Sequence, residues 1–238
     1  MQPANVLREA VAAAVMAPST HNSQPWRFVL RGDALELHAD PARHLRVIDR
    51  DYRQQIMSCG CALYNMRVAI RVLGFTPEIV CFPNPGEPMH LATVRVGAAA
   101  APSRIDNQLM IAMGRRYTNR RAFIPRPIAA ELTDRLAEVA ADEGCALVRL
   151  TPPSRKRLAD IVARADEEQL SDAGFRAELE RWLIPFGSHR LDGIPFIEKE
   201  YGSNLPFGLI RALRSPTLGA EFARIEHALI EGAPALLV

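Results

Sequence analysis

The chain has 238 residues, of which 48% are hydrophobic and 24% charged, and its 29 basic side chains nearly balance its 27 acidic ones. This composition is that of an ordinary folded protein and excludes the collagen-like, disordered and disulfide-scaffold classes. A formal charge of +2 makes a poor polyelectrolyte partner, so we expect no nucleic-acid binding. The apolar runs are shorter than the ~20 residues that span a bilayer, and no secretory signal is visible. We therefore expect a cytoplasmic protein with no membrane partner.

The four cysteines are Cys59, Cys61, Cys81 and Cys145. They include one Cys-x-Cys pair and no Cys-x-x-Cys, which argues against zinc and thioredoxin-type chemistry. Cys59 and Cys61 fall on a predicted helix, where residues two apart cannot face each other. We therefore expect both to be packing residues and assign no metal ligand from the sequence.

Apolar spacing and turn residues predict the elements of the first hundred residues. In chain order they are a helix ending before Pro18, a β-hairpin of Trp26–Leu30 and Leu35–His38, a helix from Asp51 to Leu73, and strands at Ile79–Phe82 and Leu91–Val96. Gly74 follows the long helix, at a place where glycine commonly ends one.

The rest of the chain is predicted to contain helices and strands in a different order. The helices run through Ile105–Met113, Ile128–Val139, Leu158–Leu170, Phe175–Leu183 and Phe222–Leu229, and the strands through Ala146–Leu150 and Ala235–Val238. Residues 185–216 are rich in proline, glycine and large apolar side chains, which favours a covering loop or lid over a linker. A domain rarely stops on an apolar strand, so we expect the second half to lack a C-terminal portion.

Two segments carry candidate chemistry, and the first is Ala17–Trp26, which we call the motif loop. Its hydroxyl and amide side chains lie between two prolines and could offer donors and acceptors to the edge of a heteroaromatic ring. A polar turn stabilised by its own Ser and Asn side chains is an equal alternative. His21 is interpreted as a plain hydrogen-bonding residue, and we assign no catalytic side chain.

The second segment is Arg116–Arg121, which we call the basic segment. Its guanidinium groups, together with the hydroxyl of Thr118 and the amide of Asn119, could clamp one phosphate. Considered by itself, the segment fits a solvated basic surface better than a phosphate clamp.

Together, the two segments resemble the nitroreductase superfamily, most closely its Acg-like branch of FMN-binding proteins. The motif loop is similar to the superfamily's Ala-Pro-Ser-x-x-Asn-x-Gln-Pro-Trp motif at every fixed position. Thr118–Phe123 resembles the arginine-rich segment that grips the FMN phosphate, and Arg53–Gly60 resembles another part of the Acg-like pattern.

The resemblance implies an α+β fold with helices around a mostly antiparallel sheet. In the Acg-like branch, two nitroreductase halves are fused into a pseudo-dimer. We therefore expect a first half at residues 1–100 and an incomplete second half at residues 101–238, with the lid-like segment 185–216. The first half has the Gln-Pro-Trp loop and the second has the basic segment, so one flavin site is expected per chain. Ordinary nitroreductases are homodimers, and a homodimer remains an open alternative here.

The resemblance also implies which residues bind the cofactor. FMN is expected between the motif loop and the basic segment, held by Pro18, Ser19, Thr20, Asn22, Gln24, Arg116, Thr118, Asn119, Arg120 and Arg121.

The function implied is that of an FMN-binding oxidoreductase, with NADH or NADPH as electron donor and a nitroaromatic, quinone or similar small molecule as acceptor. The alternative is a non-catalytic protein that sequesters FMN. A third interpretation, an unrelated small-molecule or nucleic-acid binder, would use the basic segment as a phosphate patch. Tyr117 and Phe123 are the only aromatic residues near that segment, which disfavours nucleic acid.

Overall fold

The computed structural model describes residues 2–119, 122–124, 126–185, 188–196 and 218–238. Seven α-helices lie within these ranges: α1 Pro3–Ala14, α2 Arg53–Val72, α3 Arg104–Arg115, α4 Ala130–Asp142, α5 Pro152–Ser171, α6 Ala173–Trp182 and α7 Leu218–Gly232. The strands are β1 Trp26–Arg31, β2 Ala34–Ala39, β3 Phe75–Cys81, β4 His90–Ala99, β5 Leu183–Pro185 and β6 Ile194–Phe196. The predicted α+β class is confirmed. Among the described helices, none combines the length and apolar character needed to cross a membrane.

The main sheet is antiparallel, with its four strands in the order β1-β2-β4-β3. The first two strands form the predicted hairpin, and Trp26 lies opposite Ala39 at its open end. Gly32 turns the chain with a φ of 60°, a value that glycine adopts without steric cost. Gly74 likewise has a φ of 88°, as expected for the glycine that ends α2.

Side chains alternate between the two faces of β2. Leu35 and Leu37 belong to the buried core against the helices. Glu36 and His38 therefore project from the opposite face. The pairing of β2 with β4 shifts register between Leu37 and His38, and His38 then pairs with His90.

A core of apolar side chains from α1, α2 and the sheet fixes the start of β1. Its most deeply buried members include Val6, Leu7, Ala10, Leu37, Cys59, Met66, Ile70 and Val94. Trp26 joins this cluster with 8% of its surface exposed and so anchors the start of β1 in the core. Burial of one such side chain contributes about 1.5 to 3 kcal/mol. The motif loop, which ends at Trp26, is therefore attached directly to the buried core.

The chain divides into two compact units. The first comprises residues up to 118 together with 181–195, and so contains the main sheet, α1, α2 and α3. The second comprises 119–180 and 196–238, in which α5 packs against α7. The two halves predicted at residues 1–100 and 101–238 were defined by homology between them, and the two units are defined by packing. The division into homologous halves therefore stays a prediction.

The two strands predicted in the second unit are reduced to an isolated bridge. Arg149 pairs with Leu237, and Leu150 N donates to Leu236 O at 2.9 Å. The prediction of a full strand at Ala235–Val238 was wrong, and Val238 is 54% exposed. The reason is that these segments pair only with each other within the described residues, and two short strands without a third cannot bury a face.

Candidate functional site

The motif loop leaves α1 and reaches β1 through an unusual backbone. His21, Asn22 and Gln24 have φ values of 54°, 51° and 49°. Left-handed conformations cost non-glycine residues roughly 1 to 2 kcal/mol each, and Asn and His tolerate them best. Such residues persist only where surrounding contacts hold them, and they cluster at ligand sites.

The loop is braced first by its own polar groups. Ser19 Oγ accepts a hydrogen bond from Gln24 N at 2.9 Å, and Ser19 O accepts one from Asn22 N at 2.9 Å. Ser23 N donates to Thr20 O at 3.0 Å. A self-stabilised polar turn, one of the two alternatives from the sequence, is thus present, and it presents the Asn22 and Gln24 side chains in fixed positions.

The N-terminal turn of α2 also holds the motif loop in place. Thr20 Oγ1 donates to Gln54 Oε1 at 2.9 Å. The nearly buried carboxylate of Asp49 accepts from Gln54 N and Gln55 N, both at 2.8 Å. A carboxylate at a helix N-terminus is favoured by the exposed N–H groups and the helix dipole. The resemblance at Arg53–Gly60 pointed to this helix, but the part played by Gln54 and Asp49 was not predicted.

A distant segment is bonded to the two amides of the motif loop. We call Leu191–Gly193 the strap; it is the described part of the predicted lid that touches the loop. Asn22 Nδ2 donates to Gly193 O at 2.9 Å, and Gly193 N donates to Asn22 O at 3.0 Å. Gln24 Nε2 donates to Leu191 O at 2.7 Å. Both side-chain amides of the motif loop are therefore engaged by main-chain carbonyl oxygens.

An arginine fastens the strap to the loop. Arg43 Nη1 donates to Ser23 O and to Asp192 Oδ2, both at 2.8 Å. Asp192 Oδ1 also accepts from Arg190 Nε at 2.9 Å. The bond from Arg190, helped by that from Arg43, holds the pKa of Asp192 below its ordinary value, although partial burial opposes this. Nothing in the sequence signalled the pairing of Arg43 with Asp192, since 149 positions separate them.

The basic segment begins beside the motif loop. Arg116 follows the end of α3, and its Nη2 lies 3.5 Å from Met16 O, immediately before the loop. Thr118 is exposed within the same unit. Asn119 belongs to the second unit, and Arg120 and Arg121 lie outside the described residues. Of the predicted phosphate ligands that the structure describes, Arg116 is the one that lies beside the loop.

The remaining predicted residues take different positions. Pro18 is exposed at the start of the loop, and His21 is half-buried. Cys59 is fully buried, its Sγ lies 3.5 Å from Pro25 O, and burial raises the pKa of its thiol to about 12. Cys61 is exposed, so the prediction that both cysteines pack was wrong for Cys61, because residues two apart on a helix point in different directions.

No protein-family model matches the chain. Among solved structures, a nitroreductase family protein from Streptococcus pneumoniae TIGR4 is 18% identical and covers 42% of this chain and 81% of its own, with a TM-score of 0.32. A superposition of that quality does not establish a shared fold.

Curated proteins of Mycobacterium tuberculosis H37Rv give stronger similarity. "Putative NAD(P)H nitroreductase Rv3131" is 36% identical over 192 residues, which are 81% of this chain and 54% of that protein. "Putative NAD(P)H nitroreductase acg" is 30% identical over 195 residues, 82% of this chain and 58% of that protein. The chain thus spans a little over half the length of these relatives. The resemblance indicated by the motif loop and the basic segment is confirmed, and the chain is a homologue of the Acg-type proteins named as NAD(P)H nitroreductases.

Proposed function

We propose that this chain binds FMN at the motif loop and the basic segment and acts as an oxidoreductase that takes electrons from NADH or NADPH. The observation that carries the proposal is the loop itself. Three residues with left-handed backbone are held by internal bonds and by α2, and the side-chain amides of Asn22 and Gln24 donate outside the loop, to the strap. The names of the relatives support the oxidoreductase class.

The groups now bonded to the loop support a flavin as its ligand. Along the strap, Leu191 O accepts, Gly193 N donates and Gly193 O accepts. The pyrimidine edge of a flavin carries the same groups, a ring N–H between two carbonyl oxygens. The donors and the acceptor of the loop therefore fit a flavin edge, and FMN and the strap would compete for them.

The rest of the proposed site supplies charge and position. Arg116 lies at the start of the loop, where a guanidinium attracts a phosphate. Asn22 and Gln24 would orient the ring edge, while Ser19 and Thr20 hold the loop that presents them. Bound FMN would supply the redox chemistry, accepting hydride from the nicotinamide and passing electrons to a nitroaromatic, quinone or similar acceptor.

The strap also favours a second candidate function, that of a protein that sequesters FMN without turnover. A segment fastened to the loop by Arg43 and Asp192 restricts access to any cofactor bound there. The same site would then hold flavin and exclude electron acceptors.

Absorption spectroscopy tests both candidates. The purified chain is mixed with FMN, desalted and examined for the visible flavin band, and a retained band supports binding. NADH or NADPH is then added without oxygen. Bleaching within seconds supports the oxidoreductase, and a stable band supports sequestration. If FMN is not retained even when Asp192→Asn loosens the strap, the flavin proposal fails.

A phosphate-specific variant tests the basic segment. Arg121→Ala should weaken FMN binding by about 1.5 to 3 kcal/mol if Arg121 contacts the phosphate, and riboflavin, which has no phosphate, should be affected much less. Arg115→Ala at the end of α3 is the matched control. Equal losses for both flavins would assign Arg121 to folding instead.

A further inference from the structure

A second cluster of chemically active side chains lies on the face of the sheet away from α1 and α2. Glu36 and His38 are two residues apart on β2 and so share that face. His90, at the start of β4, is the cross-strand partner of His38. The imidazole rings of the two histidines stack with centroids 4.5 Å apart and an interplanar angle of 19°.

The three side chains are close together and largely withdrawn from solvent. His38 Nε2 lies 3.0 Å from Glu36 Oε2. One ligand atom from each of the three residues can be chosen so that all lie within 4.8 Å of one another. The side chains of His38 and Glu36 are 12% and 23% exposed, and His90 is 8% exposed. Two strands that pair directly therefore hold the cluster in place.

The donor set and its spacing suit a metal ion of the zinc class. Two imidazoles and one carboxylate are a ligand set that Zn²⁺ takes in proteins. With bonds of about 2.0 to 2.2 Å, the ligand atoms of a tetrahedral site lie roughly 3.3 Å apart. The Glu36–His38 pair already has a separation of that order, at 3.0 Å. The third ligand would need to approach by about 1.5 Å at most, which rotation of the His90 side chain can supply.

The charges around the cluster also favour a cation. The carboxylate of Glu36 carries the negative charge that attracts a cation, and its Oε2 faces His38 Nε2. Arg31 Nε lies 3.7 Å from the same carboxylate oxygen, but its side chain is largely exposed, so this ion pair is weak and readily displaced. Thr93 Oγ1 lies 3.0 Å from His90 Nε2 and can accept that ring's N–H when Nδ1 is the ligand atom, which is the second hydrogen bond that metal-bound histidines keep.

We propose that Glu36, His38 and His90 bind one divalent transition-metal ion of the zinc class and so join β2 to β4. The ion would bind the folded sheet and not the unfolded chain, so it would stabilise the first unit. This site uses none of the residues assigned to FMN, and the two proposals stand or fall separately.

Calorimetric titration of the metal-free full chain with Zn²⁺ tests the site. We expect one ion per chain, a rise in the unfolding temperature, and Co²⁺ absorption bands typical of low coordination number. His38→Gln and His90→Gln should each weaken Zn²⁺ binding about tenfold or more.

His227→Gln is the matched control, because His227 also lies near two carboxylates, with Nε2 3.0 Å from Asp160 and Nδ1 3.6 Å from Glu231. It should leave Zn²⁺ binding unchanged. Circular dichroism checks folding, and Glu36→Gln replaces any histidine variant that does not fold. Failure of the wild-type chain to bind Zn²⁺, equal affinity in all variants, or loss of binding in His227→Gln would overturn the proposal.

Discussion

Asn22 and Gly193 exchange two hydrogen bonds, one from the Asn22 side-chain amide to Gly193 O at 2.9 Å and one from Gly193 N to Asn22 O at 3.0 Å. The pair closes a ring between the motif loop and a segment about 170 positions later in the chain. Any ligand that uses the Asn22 amide must therefore break this pair or bind beside it.

Gly193→Ala should release the strap. Gly193 has a φ of 88°, and an added Cβ would lie 2.7 Å from Trp182 O. With the strap displaced, we expect FMN to bind about fivefold more tightly, which corresponds to ~1 kcal/mol, roughly one hydrogen bond. Flavin fluorescence quenching measures the affinity. Gly32→Ala has the same backbone strain but no neighbour within 4 Å, so it should leave FMN affinity unchanged. Equal affinities in all three proteins would contradict competition.

Asp192→Asn should loosen the strap by weakening its contacts with Arg43 and Arg190. The pKa of Asp192 is lower in the folded protein than in the unfolded chain. The ionised carboxylate therefore adds to the free energy of unfolding at pH values above the unfolded pKa of about 3.9. This stabilisation is lost as the pH falls through the lower folded pKa. Hydrogen exchange should show faster exchange of the Gly193 amide in the variant at neutral pH. Asp33→Asn, in an exposed pair with Arg95, should not alter that exchange.

Asp49→Ala should destabilise the first turn of α2. It removes the acceptor of two main-chain N–H groups, at a cost of about 2 kcal/mol. Urea unfolding measures the loss. Asp51→Ala, at an exposed position two residues later, should cost less than about 0.5 kcal/mol. A similar loss in both variants would show that Asp49 contributes only its charge.

Asp166→Asn should stabilise the second unit at neutral pH. Burial, with Glu226 nearby, raises the pKa of Asp166 to about 6, and its Oδ2 is buried without a hydrogen-bond partner among the described residues. A carboxyl group whose pKa is raised by folding stabilises the folded protein at pH values below its unfolded pKa of about 3.9. That stabilisation is lost as the pH rises through the folded pKa of about 6. We expect a gain of about 1 kcal/mol at pH 7, allowing for solvent screening, that shrinks near pH 4.5. Urea unfolding at pH 7 and at pH 4.5 measures the gain in the free energy of unfolding. A gain of the same size at both pH values would contradict a raised pKa for Asp166.

Much of the first unit could be predicted because its signals are local. The apolar stripe of α1, the hairpin around Gly32 and the glycine that ends α2 each act within a few residues. The strand predicted at Ala146–Leu150 was wrong because its apolar pattern gave no information on whether a third strand would join it.

The candidate site was only partly accessible to sequence reasoning. The motif loop was found because its residues are contiguous and match a known pattern. The contacts of Arg43 with Asp192 and of Asn22 with Gly193 depend on tertiary folding, which no spacing encodes. The Glu36-x-His38 spacing placed two side chains on one face, yet their meeting with His90 required the register of β4.

The position of the strap in the chain has a consequence for biosynthesis. Residues up to 118, which contain the motif loop and its support, leave the ribosome before the strap is made. At about 5 to 20 residues per second, the intervening chain takes several seconds to synthesise. During that interval the amides of Asn22 and Gln24 have no strap to bond. A small ligand present in the cell can therefore reach the nascent loop before the strap does. The order of translation would favour binding of that ligand to the motif loop, whereas in the finished chain the strap competes with it.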